Sequence, residues 1–101
     1  MRVDGLSIGL SGVQAAGTRL RSSAHNVANL LTEDFHPERV VQQERASGGV
    51  TAQAQRSATP GQVDLARELV DQQLASVQGK ASMRAIDVQL EMLGGLLDIL
   101  G

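Results

Sequence analysis

The sequence predicts a mainly all-α fold: two long helices in an antiparallel coiled-coil-like hairpin, with a short extended or β-hairpin excursion between them. Three observations lead there. Apolar residues recur at heptad spacing in both the first and the last third of the chain. The apolar content is almost wholly aliphatic, with 13 Leu, 12 Ala, 10 Val, 3 Ile and 3 Met against a single aromatic, Phe35, which suits helices meeting along seams better than a ring-filled globular core. Turn signals cluster only in the middle, at Ser47-Gly48-Gly49 and Thr59-Pro60-Gly61. At 101 residues the chain has room for one domain, 1–101, with one modest core.

The first element is expected over 5–32. Leu6, Leu10, Val13, Gly17, Leu20, Ala24, Val27 and Leu31 fall alternately four and three residues apart, an unbroken heptad row. The excursion occupies 33–62. Within it Val50, Ala52 and Ala54 alternate with polar residues as a short strand does, and Glu38 to Glu44 is placed to pair with it across the glycines. The last element is expected over 63–100, with Asp64 able to cap its first amides. One row there reads Leu69, Ser76, Met83, Leu90, Leu97 and its companion Leu65, Gln72, Gly79, Ile86, Leu93, Leu100. Docked antiparallel, Leu69, Met83, Ile86, Leu90, Leu93 and Leu97 would face Leu6, Leu10, Val13, Leu20, Val27 and Leu31. A further row, Val63, Val70 and Val77, widens the apolar surface beyond what one partner helix covers, so a second neighbour is implied.

Glycines interrupt both helices, Gly5, Gly9, Gly12 and Gly17 in the first and Gly79, Gly94 and Gly95 in the second. Each interior glycine costs a helix about 1 kcal/mol relative to alanine. Two readings fit: glycines that relieve crowding where the helices touch, or helices weakened so that folding is coupled to assembly and the isolated chain is only partly ordered.

Composition narrows the chemistry. Nine basic and eleven acidic residues give a net charge of −2, with no basic block to neutralise a row of phosphates, so nucleic acid is not an expected partner. The absence of cysteine removes disulfides and thiolate chemistry. No apolar run approaches the roughly 20 residues that span a bilayer, so membrane insertion is not expected. The start of the chain lacks the basic and apolar regions of a cleaved signal peptide. His25 and His36 fall in no triad or metal spacing. Asp64, Glu68 and Asp71 share a helix face and read as helix-start charge rather than a metal site. No catalytic residue, metal or cofactor is expected.

The segment Ala24-His25-Asn26-Val27-Ala28-Asn29-Leu30-Leu31-Thr32-Glu33-Asp34-Phe35, preceded by Ser11-Gly12-Val13-Gln14-Ala15, resembles the amino-terminal segment of bacterial flagellar basal-body rod and hook proteins, which reads S-N-I-A-N-x-x-T-x-G-[FY]. Val63-Asp64-Leu65-Ala66-Arg67-Glu68-Leu69-Val70 is similar to the family's N-V-D-L-A-x-E-[LM]-V, and Glu91-Met92-Leu93-Gly94-Gly95-Leu96-Leu97-Asp98-Ile99 to its final E-M-L-x-x-L-L-x-I. Asn26, Ala28, Asn29, Thr32, Phe35, Val63, Asp64, Leu65, Glu68, Met92 and Leu93 carry the match. The chain departs from the pattern at His25, Asp34 and Gln62, which stand where the family has serine, glycine and asparagine, and at Gly79, where an aromatic is common. Gly48-Gly49-Val50 is similar to the G-G-V of proximal rod proteins, which makes a short proximal-rod-type subunit the nearest match.

The resemblance implies terminal helices that pack as an antiparallel coiled coil, line an axial tube and order on assembly. It implies a non-enzymatic structural subunit of the periplasmic rod of the flagellar basal body, exported by the flagellar type III apparatus without a cleaved signal. Its partners would be other copies and other flagellar axial proteins. The assembly interface would then comprise Leu6, Leu10, Val13, Leu20 and Val27 of the first helix and Val63, Leu69, Val70, Val77, Met83, Ile86, Leu90, Leu93 and Leu97 of the second. The alternative is a divergent stand-alone helical hairpin, an adaptor or regulator that binds a partner helix.

Overall fold

A helix, a two-stranded antiparallel sheet and a second helix follow one another along the chain. The computed structural model describes residues 4–100, so residues 1–3 and 101 of the expected 1–101 domain lie outside the described residues. The elements are α1 (Asp4–Ala28), β1 (Glu38–Glu44), β2 (Val50–Arg56) and α2 (Leu65–Leu100). α2 and both strands pack on α1, and the whole is elongated, with Cα extents of 62 × 24 × 14 Å.

Local chemistry stops α1 before its expected end and starts α2 after its expected beginning. α1 stops at Ala28 rather than 32 because Asn29 turns the chain out of the helix. Its Nδ2 donates to the His25 carbonyl at 2.9 Å, and its own Oδ1 accepts from Thr32 Oγ1 at 3.1 Å. α2 begins at Leu65 rather than 63 because Asp64 is the cap, its Oδ1 accepting from the Arg67 amide at 3.2 Å and its carbonyl from the Glu68 amide at 3.0 Å.

The hairpin pairs Glu38 with Arg56 at its open end and Glu44 with Val50 beside the turn. Gly48 and Gly49 close it at φ +93° and +87°, a conformation that needs glycine, and both press onto α1. A side chain on Gly48 would begin 2.8 Å from Ile8 Cδ1, and one on Gly49 2.7 Å from Ser11 Oγ. Ser11 Oγ also accepts the Val50 amide at 3.1 Å.

The seam between the helices is not the leucine seam that the heptads predict. On α1 it runs through Gly5, Gly9, Gly12, Ala16, Ser23 and Asn26, and on α2 through Gln89, Ile86, Ser82, Gly79, Gln72 and Glu68. A Cβ at Gly9 would lie 2.6 Å from Ile86 Cγ1 and 3.3 Å from the Ser82 carbonyl oxygen, and one at Gly12 would fall on the Ser82 side chain. The Ala16 methyl is 3.4 Å from where a Cβ on Gly79 would be. Polar contacts finish the seam: Arg19 Nη1 donates to Gln78 Oε1 at 2.8 Å, and Ser23 Oγ donates to the Glu68 carbonyl at 3.0 Å while accepting from Gln72 Nε2 at 3.1 Å.

Of the residues expected to face one another, only Ile86 lies in this seam. Leu10, Leu20, Leu31, Leu69, Met83, Leu90, Leu93 and Leu97 are exposed, and Leu6, Val13 and Val27 are half-buried. The true row on α1 is the leucine row moved back by one residue, which turns it about 100° around the helix. On α2 one row, Gln72-Gly79-Ile86, is the predicted companion and the other is displaced by one. Small residues win because they let the two backbones approach closely and leave seam hydrogen bonds room to form, whereas a leucine seam would hold the axes apart. At these positions the glycines relieve crowding, the first of the two readings. Gly17, Gly94 and Gly95 have open space beside them. The buried core is correspondingly slight: Ala15, Ala16 and Ala75, with Ser11, Ser22, Ser23 and Asn26.

Candidate functional site

The motif residues of the two chain ends meet. Asn26 is the largest fully buried side chain, 2% exposed, and it joins three elements. Its Oδ1 accepts the Glu38 amide at 2.8 Å and its Nδ2 donates to the Glu38 carbonyl at 2.9 Å, so the side-chain amide pairs with β1 as a neighbouring strand would. Nδ2 also donates to Glu68 Oε1 on α2 at 2.9 Å. Every polar atom of Asn26 is thus used, as burial of an amide requires. Asn29 and Thr32 shape the exit from α1, Asp64 caps α2, and Phe35 packs against His25 with ring centroids 5.4 Å apart. Ala28 ends α1 and is exposed, as are Leu65 and Met92, and Val63 is half-buried.

Asp34, where the resembled pattern has glycine, adopts φ +56°. An L-residue held left-handed costs about 1–2 kcal/mol, least for Asp and Asn. Asp34→Ala is therefore expected to lower stability by about 1 kcal/mol in urea denaturation and Asp34→Gly to leave it level or raise it.

Between the open end of the hairpin, the C-terminal half of α1 and the start of α2 lies a polar cleft of about 720 Å³. Ser22, Ser23 and Asn26 lie in it with Arg39, Arg56, Arg67, Glu38 and Asp71, charges of both signs. Neither histidine lines this cleft. His36 Nδ1 bonds the Ser57 carbonyl at 2.9 Å and ties the two ends of the excursion together. No group of three or more His, Asp or Glu side chains able to hold a metal ion occurs among the described residues. No helix among them is long and apolar enough to cross a membrane.

The conspicuous surfaces are apolar. The seam divides each helix into two flanks. On one flank the hairpin touches Ile8 and Ser11 of α1, and on α2 Gln78 reaches Gln42 of β1 at 2.7 Å while Arg67 and Asp71 line the cleft. The leucine rows lie on the opposite flank of both helices. Leu6, Leu10, Val13, Leu20 and Val27 of α1 and Leu65, Leu69, Met83, Leu90 and Leu97 of α2 therefore form one continuous face on the side away from the hairpin. A second face is the back of α2: Val77 lies two residues from both Ala75 and Gly79, about 200° round from the seam, and shares that side with Val70, Leu74 and Val88. Val77 is 64% exposed and Val70 57%. Contiguous exposed apolar faces on a small chain are candidate interaction surfaces. Heptad spacing located the leucines but not their direction; the signal that could have done so is the Gly5-Gly9-Gly12-Ala16 spacing, which holds the small residues on one stripe.

No protein-family model matches the chain, and no curated protein matches it.

Proposed function

We propose that the chain is a non-enzymatic structural subunit of an axial assembly of the flagellar basal-body rod type, joining other copies and other axial proteins through its helix pair. The observation that carries the reading is the presence of two separate apolar faces, one on the flank away from the hairpin and one on the back of α2. A subunit that propagates an assembly needs at least two contact surfaces, whereas an adaptor that captures one helix needs one. The bond from Asn26 to Glu68 supports the family resemblance, because it makes one site of two motifs 42 residues apart. Under this reading the subunit works in the periplasmic rod and reaches it through flagellar type III export.

Leu10 is 51% exposed and Leu90 49%, so a charge at either leaves the fold intact, within about 0.5 kcal/mol of the parent. Leu10→Asp and Leu90→Asp are expected to keep the parent's helicity by circular dichroism and to lose concentration-dependent association in sedimentation velocity. Association equal to the parent's would remove this face from the assembly, and saturation with a partner at a fixed small stoichiometry would favour the adaptor.

A further inference from the structure

We infer that the polar cleft is a peptide site, in which an extended, uncharged peptide with polar side chains adds to β1 as a third strand between β1 and α2. The alternation of the hairpin fixes which main-chain groups are open. The Ser57 amide donates to the Pro37 carbonyl at 2.8 Å and the Arg45 amide to the Gly49 carbonyl at 3.1 Å. Odd-numbered residues of β1 therefore direct their main-chain groups at β2, and even-numbered residues direct theirs the other way. Glu38 shows this, since Asn26 takes both its amide and its carbonyl. The next two outward positions are Val40 and Gln42, and both line the cleft.

The Asn26 side chain thus holds the first place of a strand that the chain does not continue. α2 stands too far off to fill the rest. None of its Cα atoms comes within 8 Å of a Cα of β1, against about 4.8 Å between paired strands, and Gln42 and Gln78 cross the gap side chain to side chain. The cleft, about 720 Å³, has the volume of a ligand site. Main-chain bonds to an open sheet edge supply affinity, and the surroundings select side chains. Four arginines and four acidic residues line the cleft, so no net charge draws an ionic ligand. Gln42, Gln55 and Gln62 offer amides to neutral polar side chains instead.

The probe is an acetylated, amidated peptide of alternating threonine and glutamine, about five residues long, which spans β1 from Glu38 to Gln42 at ~3.4 Å per residue. Titrated into the full chain and followed by amide NMR, it is expected to shift the amides of Val40 and Gln42 and slow their hydrogen exchange. The amides of Arg39 and Val41, already directed at β2, should keep their exchange rates. Methylating alternate peptide nitrogens of the probe is expected to weaken binding about tenfold or more. Val40→Pro, which removes one outward amide and no ladder bond, should do the same. Ala54→Pro, at the residue paired with Val40, makes the matching change on the opposite edge and should bind as the parent does. Affinity should stay within about twofold between low and high salt. No change at Val40 and Gln42 at millimolar peptide, equal binding of the methylated probe, or changes at Ala52 and Ala54 instead would each overturn the site.

Discussion

A leucine at position 12 is expected to separate the two helices. A Cβ there already falls on the Ser82 side chain, 2.9 Å from its Cβ, and the rest of a leucine has nowhere to go between backbones that meet through Ala16 and Gly79 one turn away. Overpacking of this kind costs about 1–3 kcal/mol when neighbours can shift. Here the neighbours are a glycine and alanine seam that holds only if the axes stay close, so the loss spreads along the whole interface. Gly12→Leu should show a large fall in thermal midpoint and in amide protection of both helices. Gly17→Ala is the contrasting change on the same helix: Gly17 faces open space, so alanine should raise stability by about 1 kcal/mol through helix propensity alone. A Gly12→Leu protein as stable as the parent would mean that the small-residue seam does not hold the pair.

The second large effect is expected at Asn26. Asn26→Leu keeps the same branched skeleton with bulkier methyl ends, and leaves the Glu38 amide, the Glu38 carbonyl and a Glu68 oxygen without their partner. A fully buried orphan costs about 1–3 kcal/mol and these three groups are half-buried, so the variant should lose on the order of 3 kcal/mol in urea denaturation, with β1 the first element to lose protection in hydrogen exchange. Asn26→Asp should also be damaging, for a different reason: it places a second carboxylate against Glu68 and the Glu38 carbonyl. Glu68→Gln in that background should recover part of the loss, and a double-mutant cycle measures how much. Equal losses with and without Glu68→Gln would show that the damage does not run through the contact with α2.

The contrast between these two sites explains what was legible in the sequence. Helix existence was readable because heptad spacing and capping are local, and the hairpin because Val50, Ala52 and Ala54 alternate behind a glycine pair. The direction of each helix was not. Two adjacent heptad rows run along α1, one of leucines and one of small residues, and hydrophobicity alone points to the leucines. Which row faces the partner depends on how closely two backbones can approach, a property of the pair rather than of either segment. The contact between Asn26 and Glu68 was invisible to physical reading, since an asparagine near a helix end reads as a stop. Only the motif resemblance singled out both residues, and it did not say that they touch.

The smallness of the buried set has a calorimetric consequence. The heat capacity of unfolding tracks the apolar surface that becomes exposed, and ordinary globular chains gain about 12–15 cal/mol/K per residue. A chain whose buried apolar side chains among the described residues are Ala15, Ala16 and Ala75, and many of whose leucines are already about half exposed, gains less apolar surface on unfolding than an ordinary chain of its length. Its stability as a free monomer therefore follows a shallow curve with temperature, with a broad melting transition. Covering the leucine face moves the missing apolar burial from folding into association. The steep temperature dependence then belongs to the joined state, and its melting point rises with subunit concentration.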